Sequence, residues 1–148
     1  MMRLMSHNFI DSGKIPSKYT CDSEGVNPHL SWEGAPEGTK SFAVTCLDPD
    51  ATIGEFAHWL IVNIPPTVHE IPEQSSCPAG ADEIENDSGR PGYHGPCPPR
   101  GEHRYIFTIY ALGIEHVEGL NRETFVAEVK KHALDSASLT GLYQRVIR

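Results

Sequence analysis

The sequence predicts a mainly β protein, an antiparallel β-sandwich with one α-helix in its C-terminal half. First, the 148 residues include 13 glycines and 12 prolines, a share above the usual ~12% that favours turns and short strands. Second, three apolar, β-branched segments have the length and composition of buried strands. Third, one late stretch has an amphipathic helical period. A chain of this length is expected to form a single domain over residues 1–148.

Three segments are predicted as long strands. Ser41–Asp48 is apolar on both of its alternating faces, as in a strand that is covered on both sides. Residues 58–64 have the same character, and Pro65 and Pro66 end that strand. Residues 105–112 have the strongest strand pattern in the chain. Weaker strand patterns occur at residues 30–32, around Phe9 and Ile10, and at residues 141–147.

The predicted helix covers residues 122–134, and Asn121 is placed to cap its N-terminus. Four apolar residues recur at the spacing that puts them on one face of a helix. Charged residues occupy the opposite face, so this helix is expected to pack against the sandwich on one side only. The apolar positions are Phe125, Val126, Val129 and Ala133.

Charge and cysteine content restrict the function and the location. The chain has 12 basic and 20 acidic residues, so its net charge does not attract nucleic acid or anionic membranes. It contains neither an apolar run of the ~18 residues that span a bilayer nor the apolar core of a signal peptide. A cytoplasmic location is therefore expected, with the four cysteines as free thiols and Cys46 as a small buried hydrophobe.

A proline-rich segment over residues 65–104 contains 8 of the 12 prolines and has no regular period. Long segments of this kind inside a compact domain are usually binding loops or disordered linkers. We expect a binding loop, because Tyr93, His94 and Cys97 lie among prolines that stiffen the chain. A stiff loop loses less conformational entropy when it orders around a ligand.

Polar side chains lie at the ends of the three predicted strands. Asp48 and Asp50 end the first strand, His58 begins the second, and His103 directly precedes the third. If the first two strands are antiparallel neighbours, Asp48 and His58 lie at the same edge of the sheet. If the third strand starts at that edge, His103 joins them, which makes this edge the candidate binding site.

These residue types suit a small anion. A histidine beside a carboxylate is expected to keep its proton to higher pH and to donate hydrogen bonds to an oxyanion. Backbone N–H groups around His94 and Gly95 can add donors. A phosphate monoester has a second pKa near ~6, so it often carries a proton that an aspartate can accept. The mixture therefore favours a protonated anion or a zwitterion with an ammonium group. No metal or cofactor is expected, since no two histidines have the helical or strand spacing of metal ligands, although ligands from separate strands can still converge.

Each candidate also has a purely structural interpretation. The segment at residues 48–50 can simply start a turn, and His58 can be a core histidine. His94 and His103 can be exposed, while Arg104 is expected to pair with a carboxylate. A hydrolase with His58 or His103 as base and Asp48 as its orienting group lacks an obvious nucleophile. Tyr93 and Tyr105 can be ordinary aromatic residues of the sheet. Cys97 can act as a nucleophile, but Pro96 and Pro98 on either side of it favour a structural role.

Several short motifs occur in order along almost the whole chain. They are DPDA at residues 48–51, AHWLIVN at 57–63, GY at 92–93, GPCPP at 95–99 and GEHRY at 101–105. In this combination the sequence resembles the phosphatidylethanolamine-binding protein family, also called Raf kinase inhibitor protein-like, and its small bacterial and archaeal branch in particular.

The resemblance implies a Greek-key β-sandwich with an anion pocket at one end, formed partly by the proline-rich loop. It implies that the pocket accepts phosphate-like anions or phosphorylated head groups. Because no nucleophile stands out in the sequence, we expect a binding protein and not an enzyme. A kinase or serine protease as an inhibited partner, and a homodimer, are further implications of the resemblance. Together, the strand ends and the resemblance give the predicted ligand-binding residues Asp48, Asp50, His58, Tyr93, Gly95, Pro98, His103 and Tyr105.

Overall fold

A computed structural model describes residues 1–52, 54–75 and 77–145. Over these residues the chain forms two β-sheets and one α-helix, which confirms the prediction of a mainly β protein with a single late helix. In chain order the strands are β1 (Arg3–Met5), β2 (Gly13–Lys14), β3 (Leu30–Glu33), β4 (Ser41–Asp48), β5 (Phe56–Ile64), β6 (Glu70–Ile71), β7 (Asp82–Glu83), β8 (His103–Leu112) and β9 (Ala133–Tyr143).

The larger sheet has the strand order β2-β9-β8-β4-β5-β7, and the smaller has the order β1-β3-β6. All strand pairs are antiparallel except the short parallel pair of β2 with β9. That pair depends on Gly141 of β9, because a Cβ atom there would lie 2.4 Å from the Cγ1 atom of Ile15. In the larger sheet, the three long predicted strands are the adjacent strands β5, β4 and β8.

Strands β4 and β5 are mostly apolar and buried along almost their whole length, because both of their faces are covered. Phe42, Val44 and Cys46 project between the two sheets, where they form part of the main core. Ala43 and Leu60 belong to a second apolar cluster that includes residues of the helix. Burial of each large side chain contributes about 1.5–3 kcal/mol, so these two layers account for the continuous apolar runs. The prediction that Cys46 is a small buried hydrophobe is confirmed.

The helix α1 (Phe125–His132) is shorter than predicted at both ends. The side chain of Asn121 accepts hydrogen bonds from the backbone N–H groups of Glu123 and Thr124, so it caps a turn that precedes the helix. At Ala133 the chain becomes extended and enters β9, which pairs with β8 along its whole length. Within the described part of the chain, no helix is long and apolar enough to cross a membrane.

Two weak strand predictions were inaccurate. The final strand starts at Ala133, well before the predicted residues 141–147, because pairing with β8 compensates for its polar composition. Residues 146 and 147 of that prediction lie outside the described residues. Phe9 and Ile10 form no strand; the short strand β2 follows them at Gly13–Lys14.

The expectation of four free thiols was wrong for two cysteines. Cys21 and Cys97 form a disulfide with a Cα–Cα distance of 5.4 Å, although 76 positions separate them in the sequence. The backbone N–H of Cys21 also donates to the carbonyl oxygen of Pro96. The folded chain brings these segments together, which spacing along the sequence does not reveal. Cys46 and Cys77 remain thiols, as predicted.

Candidate functional site

A cavity of about 350 Å³ lies at one end of the larger sheet, where β4 ends and β5 and β8 begin. The antiparallel register produces this arrangement, because Asp48 is opposite Phe56 and Leu47 is opposite Ile106. The strand ends therefore meet at one edge, as expected from the sequence. The residues that line the cavity are Asp48, Ala51, Thr52, Phe56, His58, His94, Cys97, Pro98, Pro99, His103 and Tyr105.

A buried histidine–carboxylate pair joins β8 to β4 at the cavity. The Nδ1 atom of His103 lies 2.7 Å from the Oδ2 atom of Asp48, and both side chains are more than nine-tenths buried. The other carboxylate oxygen, Oδ1, accepts the backbone N–H of Asp50 at 2.8 Å. Because a carboxylate only accepts, His103 must donate from Nδ1. Its Nε2 atom has no hydrogen-bond partner among the residues that the structure describes.

The second histidine, His58, is held by the proline-rich loop. Its Nδ1 atom lies 2.6 Å from the carbonyl oxygen of His94, which can only accept, so Nδ1 carries the proton. Burial lowers the pKa of His58 to about 4, and the nearby charge of Asp48 does not compensate for this effect. The ring is therefore neutral near pH 7, which corrects the expectation that it keeps its proton to higher pH. Its Nε2 atom is then an acceptor.

Aromatic rings form much of the cavity wall. Phe56 lies one strand repeat before His58 on the same face, and their ring centroids are 4.7 Å apart. Tyr105 meets His58 edge-on at 5.2 Å. The Tyr105 hydroxyl is fully buried and has no hydrogen bond of normal geometry within the described residues. Burial first, and the charge of Asp48 second, raise the pKa of Tyr105, so this hydroxyl stays protonated.

The proline-rich loop is anchored to β5 beside the cavity. The backbone N–H of His94 donates to the carbonyl oxygen of His58 at 2.9 Å. The buried side chain of Asn86 donates to the same carbonyl oxygen and, at 2.8 Å, to that of Gly92. The disulfide at Cys97 ties the far side of the loop to the N-terminal segment. These contacts hold the cavity wall in place.

Five of the eight predicted site residues line the cavity, namely Asp48, His58, Pro98, His103 and Tyr105. Asp50 does not, because its carboxylate accepts hydrogen bonds from the backbone N–H, Nε and Nη2 of Arg104 at 2.9–3.0 Å. The Arg104 side chain thereby lowers the pKa of Asp50 to about 2. The pairing predicted for Arg104 is thus confirmed, and Asp50 stabilises the start of β8.

Tyr93 and Gly95 also lie outside the cavity lining. Tyr93 packs edge-on against Trp59 in the core and donates its hydroxyl proton to the carbonyl oxygen of Tyr19 at 2.8 Å. Gly95 allows the loop to approach the N-terminal segment, since a Cβ atom there would lie 3.1 Å from the Cα atom of Thr20. Both residues position the loop that carries the neighbouring lining residues.

Sequence reasoning missed several lining residues. Phe56 could have been found from its two-residue spacing to His58 in a strand. His94 is exposed, which was one interpretation of it, but it borders the cavity, and partial desolvation lowers its pKa. Cys97 was considered only as a loop residue and a disfavoured nucleophile, and the remaining lining residues were not singled out; they are Ala51, Thr52 and Pro99.

A second histidine cluster lies on the smaller sheet, where His7, His29 and Glu70 approach closely enough to be considered for a metal. The Nδ1 atom of His29 accepts the backbone N–H of His7 at 3.0 Å, so the neutral ring carries its proton on Nε2. Nε2 lies 2.8 Å from Glu70 Oε2 and donates to it. A metal at Nε2 would have to displace that proton, so this cluster fits a structural role.

The model of the phosphatidylethanolamine-binding protein family matches residues 5–144. The chain belongs to this family. It is 45% identical over 150 residues to a UPF0098 protein of Methanothermobacter thermautotrophicus, an alignment that covers 97% of this chain and 99% of that protein. It is 39% identical to the UPF0098 protein YbhB of Escherichia coli, with 96% of this chain and 99% of YbhB covered.

Solved structures of family members share the fold. The crystal structure of YbcL from Escherichia coli, a member of the mammalian PEBP family, matches with a TM-score of 0.91 at 32% identity. That match covers 98% of this chain and 99% of the YbcL chain. A PEBP homologue from Chlamydia trachomatis, CT736, matches with a TM-score of 0.88 at 33% identity and covers 98% of both chains.

Proposed function

We propose that this protein binds a small phosphate-like anion or a phosphorylated head group in the cavity at the end of the larger sheet. The main support is the arrangement of His58 and His103. Each ring is fixed through its Nδ1 atom by an acceptor of the protein, which leaves both Nε2 atoms for a ligand. Membership of a family named for binding a phospholipid supports the same ligand class.

The charges around the cavity suit a small anion when His103 is protonated. The imidazolium then offsets the charge of Asp48 and offers an N–H donor from Nε2. Arg104 contributes nothing directly, because Asp50 occupies its guanidinium group outside the cavity.

Binding without turnover is part of the proposal. The sulfur of Cys97, the thiol candidate at the cavity, is in a disulfide and therefore cannot act as a thiolate nucleophile. A hydrolase remains the alternative, with His58 or His103 as its base. Inhibition of a kinase or a serine protease, a homodimer and a cytoplasmic location stay predictions.

Titration with phosphoethanolamine, followed by amide and imidazole NMR spectra, tests the proposal. We expect saturable shifts at residues that flank Asp48, His58 and His103, and their loss in His58→Ala. His116→Ala is the matched control, because this exposed histidine follows the opposite end of β8. Equal binding by wild type and by a folded His58→Ala variant would refute the proposed site. Hydrolysis of a phosphoester that depends on His58 or His103 would favour the alternative.

A further inference from the structure

The tautomer of His58 gives the cavity an acceptor at a position where the sequence suggested a donor. The Nδ1 proton is committed to the carbonyl oxygen of His94 at 2.6 Å, and this geometry alone assigns the lone pair of the neutral ring to Nε2. His58 is buried, yet Nε2 has no hydrogen-bond partner in the described ranges. An acceptor of this kind is satisfied only by a ligand or a water molecule that brings a proton.

The groups around His58 keep that acceptor unprotonated. Asp48 of β4 and Asp87 of the loop after β7 favour a charged ring, whereas His94 of the proline-rich loop disfavours it. Tyr105 of β8 meets the ring edge-on, with a hydroxyl that holds its own proton. His103 of β8 directs its Nδ1 proton to Asp48, away from His58. Desolvation by burial outweighs the two carboxylates.

Acceptors and donors therefore coexist in one small cavity. His58 offers a lone pair, and Nε2 of His103 offers an N–H when that ring is protonated, because its Nδ1 is held by Asp48. An anion without a proton can use the donor but leaves the His58 lone pair unsatisfied and facing its negative charge. A singly protonated phosphate monoester satisfies both, since its P–OH group donates and its other oxygens accept.

We propose that the cavity selects phosphate-type anions that carry an acidic proton, over anions of the same shape and charge that lack one, because the P–OH group donates to Nε2 of His58. This selectivity rests on the proposed function, and it defines the ligand class as monoanionic phosphate or phosphonate monoesters. Sulfate esters belong to the excluded class.

Methyl phosphate and methyl sulfate provide a matched pair of probes. At pH 5 methyl phosphate is a monoanion with one P–OH group, since the second pKa of a phosphate monoester is near ~6. Methyl sulfate has the same charge and shape without that proton. We expect NMR titration at pH 5 to show at least about tenfold tighter binding of methyl phosphate, because an unpaired buried acceptor costs roughly that factor.

A titration at pH 8 separates the ligand's proton from the protein's protons. Methyl phosphate loses its P–OH group, so its affinity is expected to fall up to about 100-fold. Methyl sulfate does not titrate in this range, so any change in its affinity reports the protein alone. If the affinities of both probes fall by the same factor between pH 5 and pH 8, the selectivity is refuted.

His58→Asn removes the ring nitrogen at the Nε2 position, and its shorter side chain keeps an N–H that can bond to the carbonyl oxygen of His94. We expect the preference for methyl phosphate to disappear in this variant and to persist in the control His116→Asn. A preference that persists in His58→Asn would overturn the inference. If the variant does not fold, the ¹⁵N shifts of the His58 ring in the wild-type protein provide the test. A protonated Nε2 of His58 in the methyl phosphate complex would contradict the inference.

The outcomes also separate this inference from the proposed function. Equal binding of both probes at pH 5 would refute selectivity and leave anion binding intact. Binding of neither probe at millimolar concentration would overturn the anion-binding proposal and the selectivity with it.

Discussion

Among the residues that the structure describes, two buried histidines pair with carboxylates, and they differ in what remains for a ligand. His103 meets Asp48 at 2.7 Å at the cavity, and His29 meets Glu70 at 2.8 Å on the smaller sheet. Both nitrogens of His29 are used inside the protein, because its Nδ1 atom accepts the backbone N–H of His7. His103 uses one nitrogen and leaves Nε2 at the cavity.

The carboxylates of the two pairs differ as well. Asp48 is buried and also accepts the backbone N–H of Asp50, whereas the Glu70 side chain is 54% exposed. Short histidine–carboxylate distances therefore do not identify a binding site by themselves. A histidine is more informative when one ring nitrogen is bonded inside the protein and the other ring nitrogen faces a cavity without a partner.

The largest expected effect comes from removing the disulfide that holds the cavity wall. Cys21→Ser with Cys97→Ser should lower the free energy of unfolding by roughly 4 kcal/mol, because the crosslink closes a long loop in the unfolded chain. The region around His103 should lose structure locally, while the pair of His29 with Glu70 stays intact. Urea unfolding with and without reductant, and NMR spectra of both histidines, measure this. Unchanged stability would contradict a structural role for the crosslink.

Neutralising the two carboxylates compares the pairs directly. Asp48→Asn should destabilise the protein by about 3 kcal/mol, because it removes the charge of a buried pair and leaves one acceptor oxygen for the two donors, His103 Nδ1 and the Asp50 N–H. Glu70→Gln is the matched control and should cost less than about 1 kcal/mol, since that carboxylate is largely exposed. Urea unfolding at pH 7 distinguishes them. Equal losses would show that burial does not separate the two pairs.

The pH dependence of stability should reveal His58. Its pKa is about 4 in the folded protein against 6.5 in the unfolded chain, so the unfolded state binds the proton more readily. The contribution is complete above pH 6.5 and is lost as the pH falls toward 4, which gives about 2 kcal/mol between pH 7.5 and pH 5. His94 titrates in the same direction. Urea unfolding at both pH values should show a smaller difference for His58→Asn than for His116→Asn; equal differences would contradict this origin.

Features that depend on a local sequence pattern were predicted correctly, whereas most features that depend on contacts between distant segments were not. The boundaries of Ser41–Asp48 were correct because its apolar residues alternate between two covered faces, a local pattern. The helix was predicted too long, since the apolar period continues to Ala133 while the backbone already pairs with β8. Tyr93 and Gly95 were assigned to the cavity from their neighbourhood in the sequence, but their contacts hold the loop against the N-terminal segment.

Alternation of apolar residues, strand-ending prolines and polar residues at strand ends were enough to predict the central strands and the edge where Asp48, His58 and His103 meet. Tertiary structure alone decided the pairing of Cys21 with Cys97, the attachment of Asp50 to Arg104 and the neutral state of His58. The physical reason is that covalent pairing and proton affinity depend on distances and on solvent exclusion, which arise between segments far apart in the chain.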